Sequence, residues 1–295
     1  MNLKLIDMAI KGYAPHLDQG DRARLDLFRA LWDVMDQDAA KAPSYEAPAP
    51  EMAQTAVRMG ESVFGSCPVA VDGALLAQTT EKLLAVLLEK GQFPASSCAA
   101  LAAVNWEGIM PSLDMKLAGS NPWAFLDSAA ELLVKSDLSQ ADARLAVTML
   151  FLALRVQLEP AAVMAVQAVG QVEMEQGHFL KCPICGSDPM VARVGGENAT
   201  EGRGKVLGCL QCGSSWDFER IRCARCGTVH QGHLHYFNLE GDDAHRLNTC
   251  DECGGYMRTV FVEQSLAPFS FEVEDVLMAK LDAVAANPSL AKGQE

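Results

Sequence analysis

The sequence lacks several things that would point to common functions. It has no run of about 18 uncharged apolar residues, so no transmembrane helix is expected. Its opening stretch, residues 1–26, has no long apolar segment and carries Asp7 early, so no secretory signal is read and a cytoplasmic location is expected. It is short of positive charge: 24 Lys and Arg stand against 38 Asp and Glu, net −14. Nucleic-acid affinity rests largely on phosphate neutralisation, so this balance argues against a nucleic-acid partner. No phosphate-binding glycine loop, nucleophile elbow or pair of catalytic carboxylates is found, and a non-enzyme is expected. What remains is a 295-residue chain of 49% hydrophobic and 21% charged residues, globular and long enough for more than one domain.

Residues 1–175 read as a helical domain. Leu25, Phe28, Trp32 and Met35 recur at helical spacing, and Leu75, Leu76, Leu83, Leu84, Leu87 and Leu88 mark another helix that stops at Gly91. Three prolines between Lys41 and Pro50 make a loop. Asn121-Pro122 reads as an N-cap with proline in the first turn. Ser139 and Asp142 read as a capping box for the apolar stretch Ala143 to Leu158, placed centrally in the core. Pro160 is expected to start a further helix ending near Val169. Past Gln176 the texture changes to short β-like runs: Met190 to Val194, Lys205 to Leu207, His233 to Leu239 and Tyr256 to Val262. After Pro268, Val273, Val276, Leu277, Leu281 and Val284 share one face of a C-terminal helix, and Asn287 to Glu295 reads as a frayed tail.

Cysteine carries the chemistry. Cys67 and Cys98 stand alone and read as inert thiols in the helical domain, although Cys98 near a helix start is a weak candidate nucleophile without a base. The other eight form four Cys-x-x-Cys pairs: Cys182/Cys185, Cys209/Cys212, Cys223/Cys226 and Cys250/Cys253. In a reducing compartment these are metal ligands rather than disulfides. Twenty-three residues separate the first pair from the second and also the third from the fourth, while ten separate the second from the third. The simplest reading is two copies of one module, 176–217 and 218–263, followed by 264–295; spacing leaves a cross-braced pairing open. Each pair is followed by a glycine, Gly186, Gly213, Gly227 or Gly254, which can take positive φ and let backbone N–H groups reach the sulfurs.

Two such knuckles make a tetrahedral Cys₄ site, giving two metal ions per chain, and thiolates alone do not separate iron from zinc. A 31-residue unit such as Cys182–Cys212 buries too little apolar surface to fold unaided, so a structural metal is favoured over a redox centre. Between Cys182 and Cys253 seven basic residues face ten acidic ones. Arg220, Arg222 and Arg225 form a small basic cluster, too few charges for duplex or RNA affinity. His230, His233 and His235 lie close together but are not needed as ligands; His178 and His245 read as surface or neighbouring residues. Trp216 and Tyr256 read as small aromatic cores of the modules, and Gly195-Gly196 as a turn.

The stretch from Lys181 to Val262 resembles the FdhE family, accessory proteins of respiratory formate dehydrogenases. The resemblance is carried by Cys182-Pro-Ile-Cys185-Gly-Ser, by Cys209-x-x-Cys212 with Trp216 and then Arg220 before Cys223, by His235-Tyr236-Phe237, and by Cys250-Asp-Glu-Cys253-Gly-Gly-Tyr256-Met-Arg258. Gly204-Lys205-Val206-Leu207 departs from the arginine-tyrosine-leucine approach common there. The resemblance implies a helical N-terminal domain, two rubredoxin-like modules that bind iron through all eight cysteines, and contact with the catalytic subunit of formate dehydrogenase before or during twin-arginine export. The expected fold is thus α+β and multidomain: a helical domain, two rubredoxin-like or zinc-ribbon Cys₄ modules, and a C-terminal helix. A non-enzymatic assembly factor is the leading reading. A rubredoxin-like electron-transfer protein and a zinc-ribbon nucleic-acid binder are its rivals. The sequence does not fix the oligomeric state, and a homo-oligomer stays open.

Overall fold

A computed structural model of the chain describes residues 1–170, 174, 179–196 and 204–286. His178 and the tail Asn287 to Glu295 lie outside the described residues. The N-terminal part is helical, as expected. Its helices are α1 (Leu3–Tyr13), α2 (Gln19–Ala39), α3 (Pro50–Arg58), α4 (Val63–Ser66), α5 (Gly73–Lys90), α6 (Ala95–Ala102), α7 (Trp106–Ile109), α8 (Met115–Ser120), α9 (Pro122–Lys135) and α10 (Gln140–Val169). The expected caps form: Asn121 Oδ1 accepts from Ala124 N, and Ser139 Oγ accepts from Asp142 N while donating to the Asp142 carboxylate.

The centre of this part is α10, which packs against α2, α3, α5 and α9. Its burial runs nearly all round, from Ala146 and Leu150 to Leu154, Leu158 and Ala165. Sequence reasoning ended one helix near Leu158 and began another at Pro160; the structure keeps one helix through Pro160. A proline inside a helix costs about 3 kcal/mol. Here Pro160 sits on the exposed side, while Val156, Leu158, Ala161 and Ala162 on either side are buried. Core packing holds both halves in line and outweighs the missing hydrogen bond. By length and composition α10 is apolar enough to cross a membrane, yet 67% of its apolar window is buried inside the protein. It also carries buried Arg155 and Gln157, each partnered: Arg155 by Glu159 and Glu272, Gln157 by both backbone groups of Asp72.

The cysteine region forms one six-stranded sheet from β1 (Val191–Val194), β2 (Lys205–Gly208), β3 (Ser215–Phe218), β4 (Leu234–Phe237), β5 (His245–Cys250) and β6 (Tyr256–Phe261), in the order β3-β2-β1-β6-β5-β4. Each module contributes an antiparallel trio, and the trios join where β1 pairs with β6 in parallel, Val191 opposite Arg258. This pairing closes two edges that separate modules would leave open. Sequence reasoning found the runs around β1, β2, β4 and β6 but not β3 or β5. Ser215–Phe218 is only four residues long, and His245–Cys250 is polar at Arg246, Asn248 and Thr249.

The C-terminal segment is two short helices, α11 (Phe271–Leu277) and α12 (Ala279–Ala286), lying on one face of the sheet. Val191, Leu247 and Val260 pack there against Met278 and Leu281. Gly208 leaves room for Phe271: a Cβ at Gly208 would come within 2.4 Å of that ring. A buried polar network ties this layer to the first helix. His245 reaches both Asp242 oxygens through Nδ1 at 2.9 Å and Glu274 through Nε2 at 2.7 Å, and the Tyr13 hydroxyl donates to Glu274 at 2.9 Å. Burial works against the charged imidazole, but the two carboxylates raise its pKa to about 9.

A folded pKa raised above the unfolded value stabilises the fold fully below about pH 6.5 and ceases to do so as pH rises through 9. The contribution is on the order of 3 kcal/mol. Thermal unfolding should therefore shift to lower temperature between pH 7 and pH 9.5, and Glu274→Gln should flatten that alkaline slope. Equal slopes in the two proteins would show that the network is energetically silent.

Candidate metal centres

Each Cys-x-x-Cys-Gly segment makes the same turn. The N–H of the first cysteine donates to the carbonyl five residues on: Cys182 to Ser187, Cys209 to Ser214, Cys223 to Thr228 and Cys250 to Gly255, at 2.8–3.0 Å. The glycine N–H donates back to the first cysteine's carbonyl at 2.9–3.0 Å. The turn requires positive φ at the glycine, and all four have it, between +66° and +80°.

The turns bring the sulfurs together in the simpler of the two pairings. Cys182, Cys185, Cys209 and Cys212 form one group and Cys223, Cys226, Cys250 and Cys253 the other, with the sulfurs of each group within 4.8 Å of one another. The closest Sγ···Sγ distances are 3.5 and 3.6 Å in the first group and 3.8 Å, twice, in the second. A tetrahedron of sulfurs about 2.3 Å from a central ion has edges of about 3.8 Å. Four thiolates at that spacing fit a divalent transition metal, and each group can hold one ion. Among the described residues, no histidine enters either group.

The first group also shows why a bare thiol cluster would be unbalanced. Burial pushes the Cys185 and Cys209 thiols well above the usual range. Against the same burial, hydrogen bonds from the neighbouring thiols and Ser214 hold Cys182 well below it. Ser214 was missed from sequence. Its hydroxyl is buried 3.1 Å from Cys182 Sγ and 3.0 Å from Cys212 Sγ. The signal was present: Ser187, Ser214 and Thr228 each follow a knuckle glycine directly.

The two groups differ in their surroundings. All four cysteines of the first are at most 2% exposed, whereas Cys226 and Cys253 of the second are exposed. The first group lies where the helical part meets the sheet. The N–H groups of Val63 and Phe64 at the start of α4 donate to the carbonyls of Pro183 and Ile184, inside the first knuckle, at 2.9 and 2.8 Å. Gln211 in the second knuckle donates to Phe151 O on α10, and the Trp216 indole N–H donates to Phe179 O. At Gly213 a Cβ would stand 3.1 Å from Glu159 of α10, the partner of Arg155. Trp216 is fully buried, as expected of a module core, while half-buried Tyr256 donates its hydroxyl to Asp282 on α12.

The remaining candidates lie elsewhere. His230 and His233 stack at 4.6 Å, and His235 bonds Asp251 at 2.8 Å. His245 belongs to the buried network described above. Cys67 and Cys98 are half-buried and belong to neither group; their thiols face the carbonyls of Glu46 and Phe93. Gly195 and Gly196 form a turn with φ of +88° and +106°.

This asymmetry predicts two-step metal loss. A chelator should remove one ion per chain from the native protein quickly, from the second group, and the other only with unfolding. Simultaneous release of both would contradict the difference in burial. Gly213→Ala, strained in φ and crowded by Glu159, should cost about 1 to 3 kcal/mol in thermal or denaturant unfolding.

No family model matches the chain. Curated relatives do. A protein FdhE homolog of Aquifex aeolicus is 28% identical over 124 residues, 41% of this chain and 43% of that one. The Shewanella oneidensis homolog is 36% identical over 107 residues, 35% of this chain and 33% of that one. The matches thus span less than half the length of these two. A third homolog, from Shewanella sp. strain MR-4, is 28% identical over 214 residues, 67% of this chain and 68% of its own. In fold, the crystal structure of the FdhE protein from Pseudomonas aeruginosa aligns over 98% of this chain and 92% of its own, with a TM-score of 0.56 at 22% identity. The chain is similar to FdhE proteins in sequence over two thirds of its length and in fold over nearly all of it, which bears out the family resemblance carried by its cysteine knuckles.

Proposed function

We propose that this chain is an accessory protein in the formation of active respiratory formate dehydrogenase, acting by contact with the catalytic subunit before or during twin-arginine export. The reading rests on the resemblance to FdhE proteins and on the arrangement of the two Cys₄ groups. In this reading the eight cysteines hold two metal ions, and the ions have different tasks. The first ion, in a group with no exposed cysteine, fixes the sheet against the helical part and is structural. The second, with Cys226 and Cys253 at the surface, belongs to the region that meets the client.

The chemistry a bound metal supplies here is thiolate coordination, with one-electron exchange if the ion is iron. The chain's own residues shape that surface group. N–H groups of Cys226 and Arg225 point at Cys223 Sγ, and the N–H of Gly255 at Cys253 Sγ, each stabilising thiolate charge. The exposure of the second group favours one alternative reading, in which it exchanges electrons with a redox centre of the client. That reading requires iron and a reversible potential.

The test is complementation. In a host lacking this gene, wild-type protein should restore formate dehydrogenase activity. Cys226→Ser with Cys253→Ser should accumulate as folded protein yet lower that activity by tenfold or more, about the scale of losing a key contact. Full enzyme activity in the deletion host would sink the accessory reading. Full activity with the double variant would remove the second group from it.

A further inference from the structure

One face of the sheet lies under α11 and α12. The other face carries a cavity of about 250 Å³. Its floor is the buried residues Val194, Met257 and Thr259, alternate positions on β1 and β6. Tyr236 on β4, Arg246 and Asn248 on β5, and Phe261 on β6 line it as well. The segment of residues 220–225, at the start of the second module, lines it too.

The charge of this cavity opposes that of the chain. Lys205, Arg220, Arg222, Arg225 and Arg246 line it, and no Asp or Glu does, in a protein with 38 acidic residues. Two of the five are paired by carboxylates from outside the cavity: Arg222 with Glu219 at 3.1 Å and Arg225 with Asp188 at 3.5 Å. Lys205 is only 3% exposed; its ammonium donates to the Arg222 carbonyl at 3.1 Å and lies over the Phe218 ring. Arg246 is the most telling. Its guanidinium lies 4.1 Å from the centroid of the Phe261 ring and 4.8 Å from that of Tyr236. Its Nε is buried without a hydrogen-bond partner, and it forms no ion pair among the described residues. Asn248 Oδ1 beside it is also buried without a partner.

A buried guanidinium N–H without an acceptor is costly, and the cost is removed when an anion supplies one. Rings that fix the guanidinium also reduce the entropy lost on binding. Cys223 and Cys250 touch the cavity too, so part of its positive charge offsets the second Cys₄ group. A divalent ion with four thiolates carries a net charge of −2, and the three cations left after the two ion pairs, Lys205, Arg220 and Arg246, still outweigh it.

We propose that this cavity is a binding site for a small dianionic ligand, a phosphate group carried by a phosphomonoester. Arginine donors match phosphate oxygens in pairs. The cavity is several times larger than a bare phosphate, and its apolar floor and the exposed Tyr236 ring suit an organic part of modest size.

The test is calorimetric titration of the full metal-loaded chain at low ionic strength with AMP, inorganic phosphate and adenosine. AMP should bind, phosphate more weakly, and adenosine not at all. Added salt should weaken the AMP interaction. Arg246→Gln should weaken it by about tenfold or more, and exposed Arg220→Gln, which leaves the core untouched, should weaken it in the same direction. Both variants should keep two metal ions per chain, and Arg220→Gln should leave the Tm unchanged. Absence of binding by both AMP and phosphate up to roughly 10 mM would overturn the proposal. So would equal affinity for adenosine, unchanged affinity in both variants, or binding of an acidic peptide in place of the phosphates.

Discussion

Four cysteine sulfurs on two turns, packed under a helical domain, are the constraint on which the rest of the structure depends. The stretch from Cys182 to Cys212 cannot close a core from its own side chains. It borrows one from both directions. The two turns hold their four sulfurs within 4.8 Å of one another, the spacing a shared metal ion would need, and the helical part covers them, with α4 amides on the Pro183 and Ile184 carbonyls and α10 beside Gly213. Once the first module is seated, β1 offers an edge to β6, and the second module extends the sheet outward. The second Cys₄ group therefore comes to lie at the surface by topology, not by a change in its ligands.

Charge reinforces the same assembly. Arg155 within the core helix is held by Glu159 and Glu272, so α10 and α11 are joined by a buried cation. His245 between Asp242 and Glu274, with Tyr13 on Glu274, ties α1 to the sheet and to α11. Such groups are expensive to bury and stabilise only when every partner is present. They make the N-terminal helix, the C-terminal helix and the sheet parts of one cooperative unit. The cavity on the far face of the sheet is the exception, because there cations are gathered without a full set of carboxylates.

The local chemistry of the knuckles was legible in the sequence because it is dictated by covalent neighbours. Cys-x-x-Cys-Gly specifies a turn, a sulfur position and a positive φ within five residues; equal spacing of 23 residues made the sequential pairing the simplest one, and the structure was needed to choose it over a cross-braced one. Caps at Asn121 and Ser139 were legible for the same reason. What stayed hidden depends on residues far apart in the chain. Helix α10 runs through Pro160 because of packing that no local rule encodes. The parallel β1–β6 pairing joins strands more than 60 residues apart. The contrast in burial between two groups with identical ligands comes from the helical domain lying over one of them. The cations of the cavity were visible only in part: Arg220, Arg222 and Arg225 stood out as a cluster, but Lys205 and Arg246 join them only through strand register.

The central claim is that the first Cys₄ group joins the helical part to the sheet. Hydrogen–deuterium exchange read at individual amides while metal is withdrawn tests it most directly. The account predicts that Val63 and Phe64 keep their protection when the first equivalent of metal leaves and lose it, together with Cys182 and Cys209, when the second leaves. Protection at Val63 and Phe64 that outlasts both metal ions would contradict it.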